Sequence, residues 1–154
     1  MNNQHYFITC ARGLEEALAQ ELAEIGASAP LKQTGGVAVA GDRALCYRIN
    51  LWSRIAMRVL LRVYQGEYRD ERDIYERTLA LPWPQWFNVS RSIAVSVNAR
   101  RAPLKSLDFI TLRIKDAVCD RFRRDTGERP SVSTSFPDVR VHAFFDAQQF
   151  SIYL

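Results

Sequence analysis

Eleven basic side chains stand between residues 91 and 140: Arg91, Arg100, Arg101, Lys105, Arg113, Lys115, Arg121, Arg123, Arg124, Arg129 and Arg140. Six acidic residues share that stretch, whereas residues 1–90 hold ten of each sign and residues 141–154 add only Asp146. The whole positive surplus of the chain therefore belongs to one region. Such a local field attracts polyanions, and every phosphate contact releases condensed counterions, so binding is favourable and salt-dependent. Nine of the eleven are Arg, whose planar fork of donors matches phosphate oxygens and also stacks on bases. The competing reading is a solvated surface that neutralises itself. Spacing supports it in part: Arg113 with Asp116, and Asp120 with Arg123 or Arg124, stand three or four residues apart, which on a helix gives modest ion pairs. Arg100, Arg101 and Lys105 have no acidic neighbour before Asp108 and are the better phosphate ligands. Arg140 either pairs with Asp138 across a bend or faces the same groove. The candidate anion-binding set is Arg100, Arg101, Lys105, Arg113, Lys115, Arg123, Arg124, Arg129 and Arg140.

Catalytic chemistry is absent from the pattern. His5 and His142 are the only histidines, and neither has a Cys, Asp or Glu at metal-ligand spacing. No Ser, His and acid arrangement suggests a nucleophile. Gly35-Gly36 lacks the further glycines and the strand-to-helix context of a nucleotide-phosphate loop, so a hairpin is the expected use. The first strand is followed by Cys10-Ala11-Arg12-Gly13, which is not the Gly-rich phosphate loop of an acylphosphatase. Cys10, Cys46 and Cys119 are scattered and odd in number, as expected of reduced thiols in a cytoplasmic protein. No apolar run has the length to span a bilayer, and Met1 to Gln4 have no signal-peptide character.

These side chains need a scaffold, and the hydrophobic pattern supplies an α/β (α+β) one. Tyr6 to Cys10 reads as a strand. An amphipathic helix follows from Gly13, with Leu14, Ala17, Leu18, Leu22 and Ile25 at the 3.6-residue period and Gly26 as its stop. Leu31–Gln33 and Val37–Ala40 flank Gly35-Gly36 as a hairpin. A second helix after Asp42 carries Leu45, Ile49, Trp52 and Ala56 on its expected buried face, and Val59 to Tyr64 alternate as a strand. The order β-α-β-β-α-β is ferredoxin-like. The charged run Gly66 to Asp73 marks a boundary, giving expected domains of residues 1–66 and 67–154, although Asp70 equally suits a helix cap. A helix to about Leu81 is stopped by Pro82 and Pro84, and Trp83, Trp86 and Phe87 are expected to serve packing more than base stacking. Ile93, Val95 and Val97 form a strand, Arg100 to Lys105 a basic loop, and Leu107 to Arg124 the longest helix, with Leu107, Ile110, Ile114, Val118 and Phe122 inward. Val139 to Phe145 and Phe150 to Leu154 are strands. The chain stops in mid-strand, as a fragment with a missing continuation would.

Several short motifs occur in order: Ala11-Arg12-Gly13-Leu14-Glu15, Thr34-Gly35-Gly36-Val37, Leu51-Trp52-Ser53-Arg54, Trp83-Pro84-Gln85-Trp86-Phe87, Lys115-Asp116-Ala117-Val118 and Pro137-Asp138-Val139-Arg140-Val141. Together they resemble the N-terminal region of bacterial large-subunit ribosomal RNA guanine-N2 methyltransferases that carry a THUMP domain. The resemblance implies a ferredoxin-like module followed by a THUMP-like α/β module that binds structured RNA. It further implies a C-terminal methyltransferase domain of the same polypeptide using S-adenosylmethionine. Neither the cofactor loop nor the Asn/Asp-Pro-Pro-aromatic motif of such enzymes occurs here, and Phe136-Pro137-Asp138 is not that motif. No cofactor is therefore expected in this chain, and its partner is expected to be RNA, with large-subunit ribosomal RNA implied by the likeness. Two alternatives stay open at this level: a ferredoxin-like scaffold that docks another protein, and the THUMP region of a tRNA-modifying enzyme.

Overall fold

The computed structural model describes residues 3–154 and divides into two compact units, one ending at Arg62 and the other running from Val63 to Leu154. In the first, β1 (Gln4–Thr9), α1 (Glu15–Ile25), β2 (Ser28–Gln33), β3 (Gly36–Gly41), α2 (Arg43–Trp52) and the start of β4 (Arg58–Glu67) follow one another. The strands lie in the order β2-β3-β1-β4, all neighbours antiparallel. That order is what two helix crossovers around a hairpin produce. Tyr6 stands opposite Val39 on one side and Leu61 on the other. Tyr6, Ile8, Val37 and Val39 meet Leu18 and Leu22 of α1 and Leu45 and Ile49 of α2 in one core. Gly26 ends α1 in the left-handed region (φ 115°), a conformation costly for a residue with a Cβ. Asp42 opens α2 by accepting the Leu45 amide at 2.8 Å.

The buried faces are narrower than periodicity suggests. Leu14 and Ala17 are exposed, so α1 packs through Leu18 and Leu22. On α2 the expected inward series holds for Leu45 and Ile49 and fails for Trp52, which is 71% exposed, while Ala56 lies beyond the helix. The cause is tertiary. Ser53 is already extended (ψ 133°), and the Glu21 carboxylate accepts its hydroxyl together with the amides of Arg54 and Ile55. The helix therefore ends at Trp52, which is left at its exposed C-terminal end.

In the second unit, α3 (Glu71–Leu79), α4 (Trp83–Trp86), β5 (Ile93–Ala99), α5 (Leu107–Thr126), β6 (Val139–Phe145) and β7 (Gln149–Tyr153) follow the end of β4. β5 and β6 are parallel from Ile93 opposite Val139 to Ala99 opposite Phe145, with α5 as their crossover, and β7 returns antiparallel to β6. Ile110, Ile114, Val118 and Phe122 of α5 are fully buried among Trp83, Val141, Phe145 and Phe150. The Trp83 indole N–H donates to the Thr78 carbonyl at 2.8 Å, which satisfies its one polar atom inside the core. Asp70 does cap α3, accepting the Asp73 amide at 2.8 Å.

Two boundaries differ from the sequence reading. The strand expected to end at Tyr64 continues through Glu67. Tyr64 and Tyr68, four residues apart, both reach Phe150, with ring centroids at 5.0 and 6.0 Å. Burial of those aromatics outweighs the polar composition between them. The helix expected to reach Leu81 stops at Leu79, and Trp83–Trp86 form a separate single turn with Pro84 near its start, where a missing N–H costs nothing.

Candidate nucleic-acid interface

The loop between β5 and α5 is built to hold cations outward. The Arg100 amide donates to the Phe145 carbonyl at 2.9 Å, fastening the start of the loop to the end of β6. Ala102 and Leu104 pack on the core, whereas Arg100, Arg101, Pro103 and Lys105 are exposed. Arg101 sits at φ 54°, a left-handed conformation that a non-glycine residue rarely adopts. Ser106 then caps α5 by accepting the Phe109 amide at 3.2 Å. The positive end of the helix dipole thus opens beside three cations. Among the described residues no ion pair engages Arg100, Arg101 or Lys105, so their charge is available to an incoming anion.

The other six candidates are distributed differently. Arg113 lies over the Tyr75 ring, 4.3 Å from its centroid. Lys115 pairs with Asp116 at 3.0 Å, and Arg129 approaches the same carboxylate at 4.0 Å. Arg124 pairs with Asp125 at 3.1 Å. Arg123 is exposed and forms no ion pair among the described residues, because Asp120 accepts the Tyr75 hydroxyl at 2.6 Å. That contact, with the ordered burial of the ring, pushes the Tyr75 phenol pKa upward. Arg140 is exposed beside a shallow cavity of about 140 Å³ lined also by Ala94, Val95, Ser96 and Thr134. Asp138 instead serves Ser92, accepting its amide at 2.9 Å and its hydroxyl at 3.1 Å, and these bonds hold its carboxyl below the usual range.

The nine candidates consequently do not form one patch. Arg100, Arg101 and Lys105 stand at the N-terminal end of α5. Arg123 and Arg124 stand at its C-terminal end, about 24 Å away by the rise of sixteen residues, and Arg129 reaches back to Asp116 in the middle of the helix. Neither expected pair, Arg113 with Asp116 or Asp120 with Arg123 or Arg124, forms. Spacing within one helix is blind to Tyr75, which α3 brings against α5. Arg121, outside the candidate set, is structural: it donates to the carbonyls of Leu79 at 3.1 Å and Ala80 at 2.9 Å and pairs with Asp125. Sequence reading missed the cap at Ser106, although Ser followed by an acid two residues later was a legible signal.

No group of three or more His, Cys, Asp or Glu among the described residues could hold a metal ion. The loop after β5 has no glycine for a close backbone approach and no acid to receive ribose hydroxyls, and its cations repel a sulfonium, so that loop does not suit S-adenosylmethionine. No helix among the described residues is long and apolar enough to cross a membrane. The cysteines are free thiols, with Cys10 and Cys119 buried.

Comparison with known proteins agrees with this architecture. Residues 5–60 match the RlmL ferredoxin-like domain and residues 68–154 match the THUMP domain. The ribosomal RNA large subunit methyltransferase K/L of Syntrophotalea carbinolica is 35% identical over 97% of this chain and 21% of its own length. That of a Shewanella strain is 35% identical over 92% of this chain and 20% of its own. The chain thus spans about a fifth of these curated relatives. A solved structure from Listeria monocytogenes, described as a predicted N6-adenine-specific DNA methylase, shares the fold. It superposes at a TM-score of 0.82 with 23% identity over 99% of this chain and 40% of that one. With a ferredoxin-like unit first and a parallel βαβ unit with its hairpin strand second, the chain belongs to the THUMP domain family.

Proposed function

We propose that this chain is the RNA-binding region of a cytoplasmic ribosomal RNA (guanine-N2)-methyltransferase. It holds structured large-subunit RNA and presents it to a methyltransferase domain of the same polypeptide, where S-adenosylmethionine would bind. Residues 1–66 form the ferredoxin-like domain and residues 67–154 the RNA-binding one. Three unpaired cations on an anchored loop at a helix N-terminus carry this reading. THUMP membership and the kinship to ribosomal RNA methyltransferases support RNA as the anion. In this reading the chain contributes substrate binding, and the methyl donor belongs to the methyltransferase domain.

Titration of the chain with a structured RNA at several salt concentrations tests the reading. A helix with a single-stranded end should bind best, since duplex RNA is read through its backbone and 2′-hydroxyls and unstacked bases through their edges. Affinity should fall steeply with salt, and calorimetry with S-adenosylmethionine alone should show no binding. Absent or salt-insensitive RNA binding would favour a protein-docking scaffold.

A further inference from the structure

The first unit holds seven basic and five acidic side chains between residues 3 and 62, and most of its acids are consumed internally. Glu15 accepts the amides of Gly13 and Gly35. Glu16 pairs with Lys32. Glu21 holds the turn after α2, and Asp42 caps that helix. Only Glu24 makes no ion pair or side-chain hydrogen bond among the described residues. The cations are left over. Arg43 and Arg58 form no ion pair there. Arg54 lies near enough to Glu21 to favour its carboxylate without pairing with it, and Arg48 spends one N–H on the Ile25 carbonyl at 3.3 Å.

Aromatic rings stand between these cations. Along Arg43, Tyr47, Arg48, Trp52, Arg54 and Arg58 the two aromatics are 60% and 71% exposed. Trp52 borders a cleft of about 560 Å³ between α1 and α2, lined also by Glu21, Glu24, Ile25, Arg48 and Arg54. An indole left in water forfeits the burial that usually fixes tryptophan in a fold. Flanked by guanidinium groups, its face matches the platform on which single-stranded nucleic acid stacks: a ring for the base and nearby cations for the phosphates.

We infer that this cleft is a second RNA contact, in which one unpaired nucleotide stacks its base on Trp52 and sets its phosphates against Arg48 and Arg54. It rests on the RNA-binding reading but assigns the first unit a role of its own. The test uses the full chain carrying Trp86→Phe, so that Trp52 is the only exposed indole while Trp83 stays buried. Titration with a single-stranded RNA octamer at low salt should quench Trp52 fluorescence saturably, whereas inorganic polyphosphate should bind without quenching. Trp52→Ala should weaken octamer binding on the order of tenfold. If Arg100, Arg101 and Lys105 replaced by Ala abolish binding while Trp52→Ala leaves it unchanged and the indole signal flat, the cleft is not an RNA site and the loop still is. If Trp52→Ala instead turns a dimer into a monomer with RNA affinity intact, the face joins two copies of the chain and the inference falls. No RNA binding by the unaltered chain overturns both readings together.

Discussion

The guanidinium of Arg113 lies over the ring of Tyr75, 4.3 Å from its centroid. The same tyrosine donates its hydroxyl to Asp120 at 2.6 Å, so one side chain of α3 takes up both a cation and an anion of α5. Tyr75→Phe keeps a ring beneath Arg113 and removes only the hydroxyl. A partly exposed hydrogen bond to a carboxylate should be worth about 1 kcal/mol net. Urea unfolding should show a lower midpoint with an unchanged slope. An unaltered midpoint would mean that water serves Asp120 equally well.

The free charges of the second unit should dominate RNA affinity. Replacing Arg100, Arg101 and Lys105 together with Ala should weaken binding more than replacing Arg123 and Arg124, and should flatten the log-log salt slope by about two. Folding should hardly change, because exposed charges contribute little to stability. Within the helix pair the structure separates the two residues: Arg124 is held by Asp125 and Arg123 is not. Arg123→Ala should therefore cost more affinity than Arg124→Ala. Titration of both single variants at one salt concentration decides it: the reverse order would mean that the Asp125 pair does not restrain Arg124, and no loss from either would place the helix end outside the RNA footprint.

What the sequence could and could not reveal follows from the range of the forces involved. The ferredoxin-like order was legible because alternation in Tyr6 to Cys10 and the helical period of Leu18 and Leu22 are local patterns. The loop cations were legible because no acid lies near them in sequence. Trp52 was misread: its spacing from Leu45 and Ile49 is helical, but it is the last residue of α2, where Glu21, more than thirty residues earlier, holds the chain as it turns away. Arg123 was misread for a similar reason, since Tyr75 removed its expected partner from forty-five residues away. Periodicity reports a segment's own preference, whereas competition among polar partners is settled only after the segments meet.

The Gly35-Gly36 hairpin should tolerate change at one glycine and resist it at the other. A Cβ on Gly36 would stand 2.3 Å from the Ile8 carbonyl oxygen and 2.7 Å from the Phe7 ring, on a strand paired residue by residue with β1. A Cβ on Gly35 would meet nothing within 4 Å, but its φ of 82° is left-handed. Gly36→Ala should force β1 and β3 apart at about 2–3 kcal/mol. Gly35→Ala should cost only its backbone strain, about 1 kcal/mol. Thermal unfolding of the two variants checks the order, and equal losses would mean that the strand ends yield freely.

Glu21 should give the first unit a pH-dependent contribution at the acid end. Burial alone would raise its carboxyl pKa, but the Ser53 hydroxyl and the amides of Arg54 and Ile55 favour the carboxylate more strongly, with Arg54 adding charge, and the pKa falls below the ordinary value. A group whose folded pKa is depressed stabilises the native state fully above its unfolded pKa, about 4.3 for glutamate. That stabilisation is lost as pH falls through the folded value, because both states are then protonated. Glu21→Gln keeps the side-chain shape and one acceptor oxygen while removing the charge. The unaltered chain should exceed this variant in stability at pH 7 by an amount that stays constant down to about pH 5 and narrows below it. Urea midpoints for both proteins between pH 3 and 7 test the sign directly. A difference that grows on acidification would mean that the turn after α2 is held by a protonated acid.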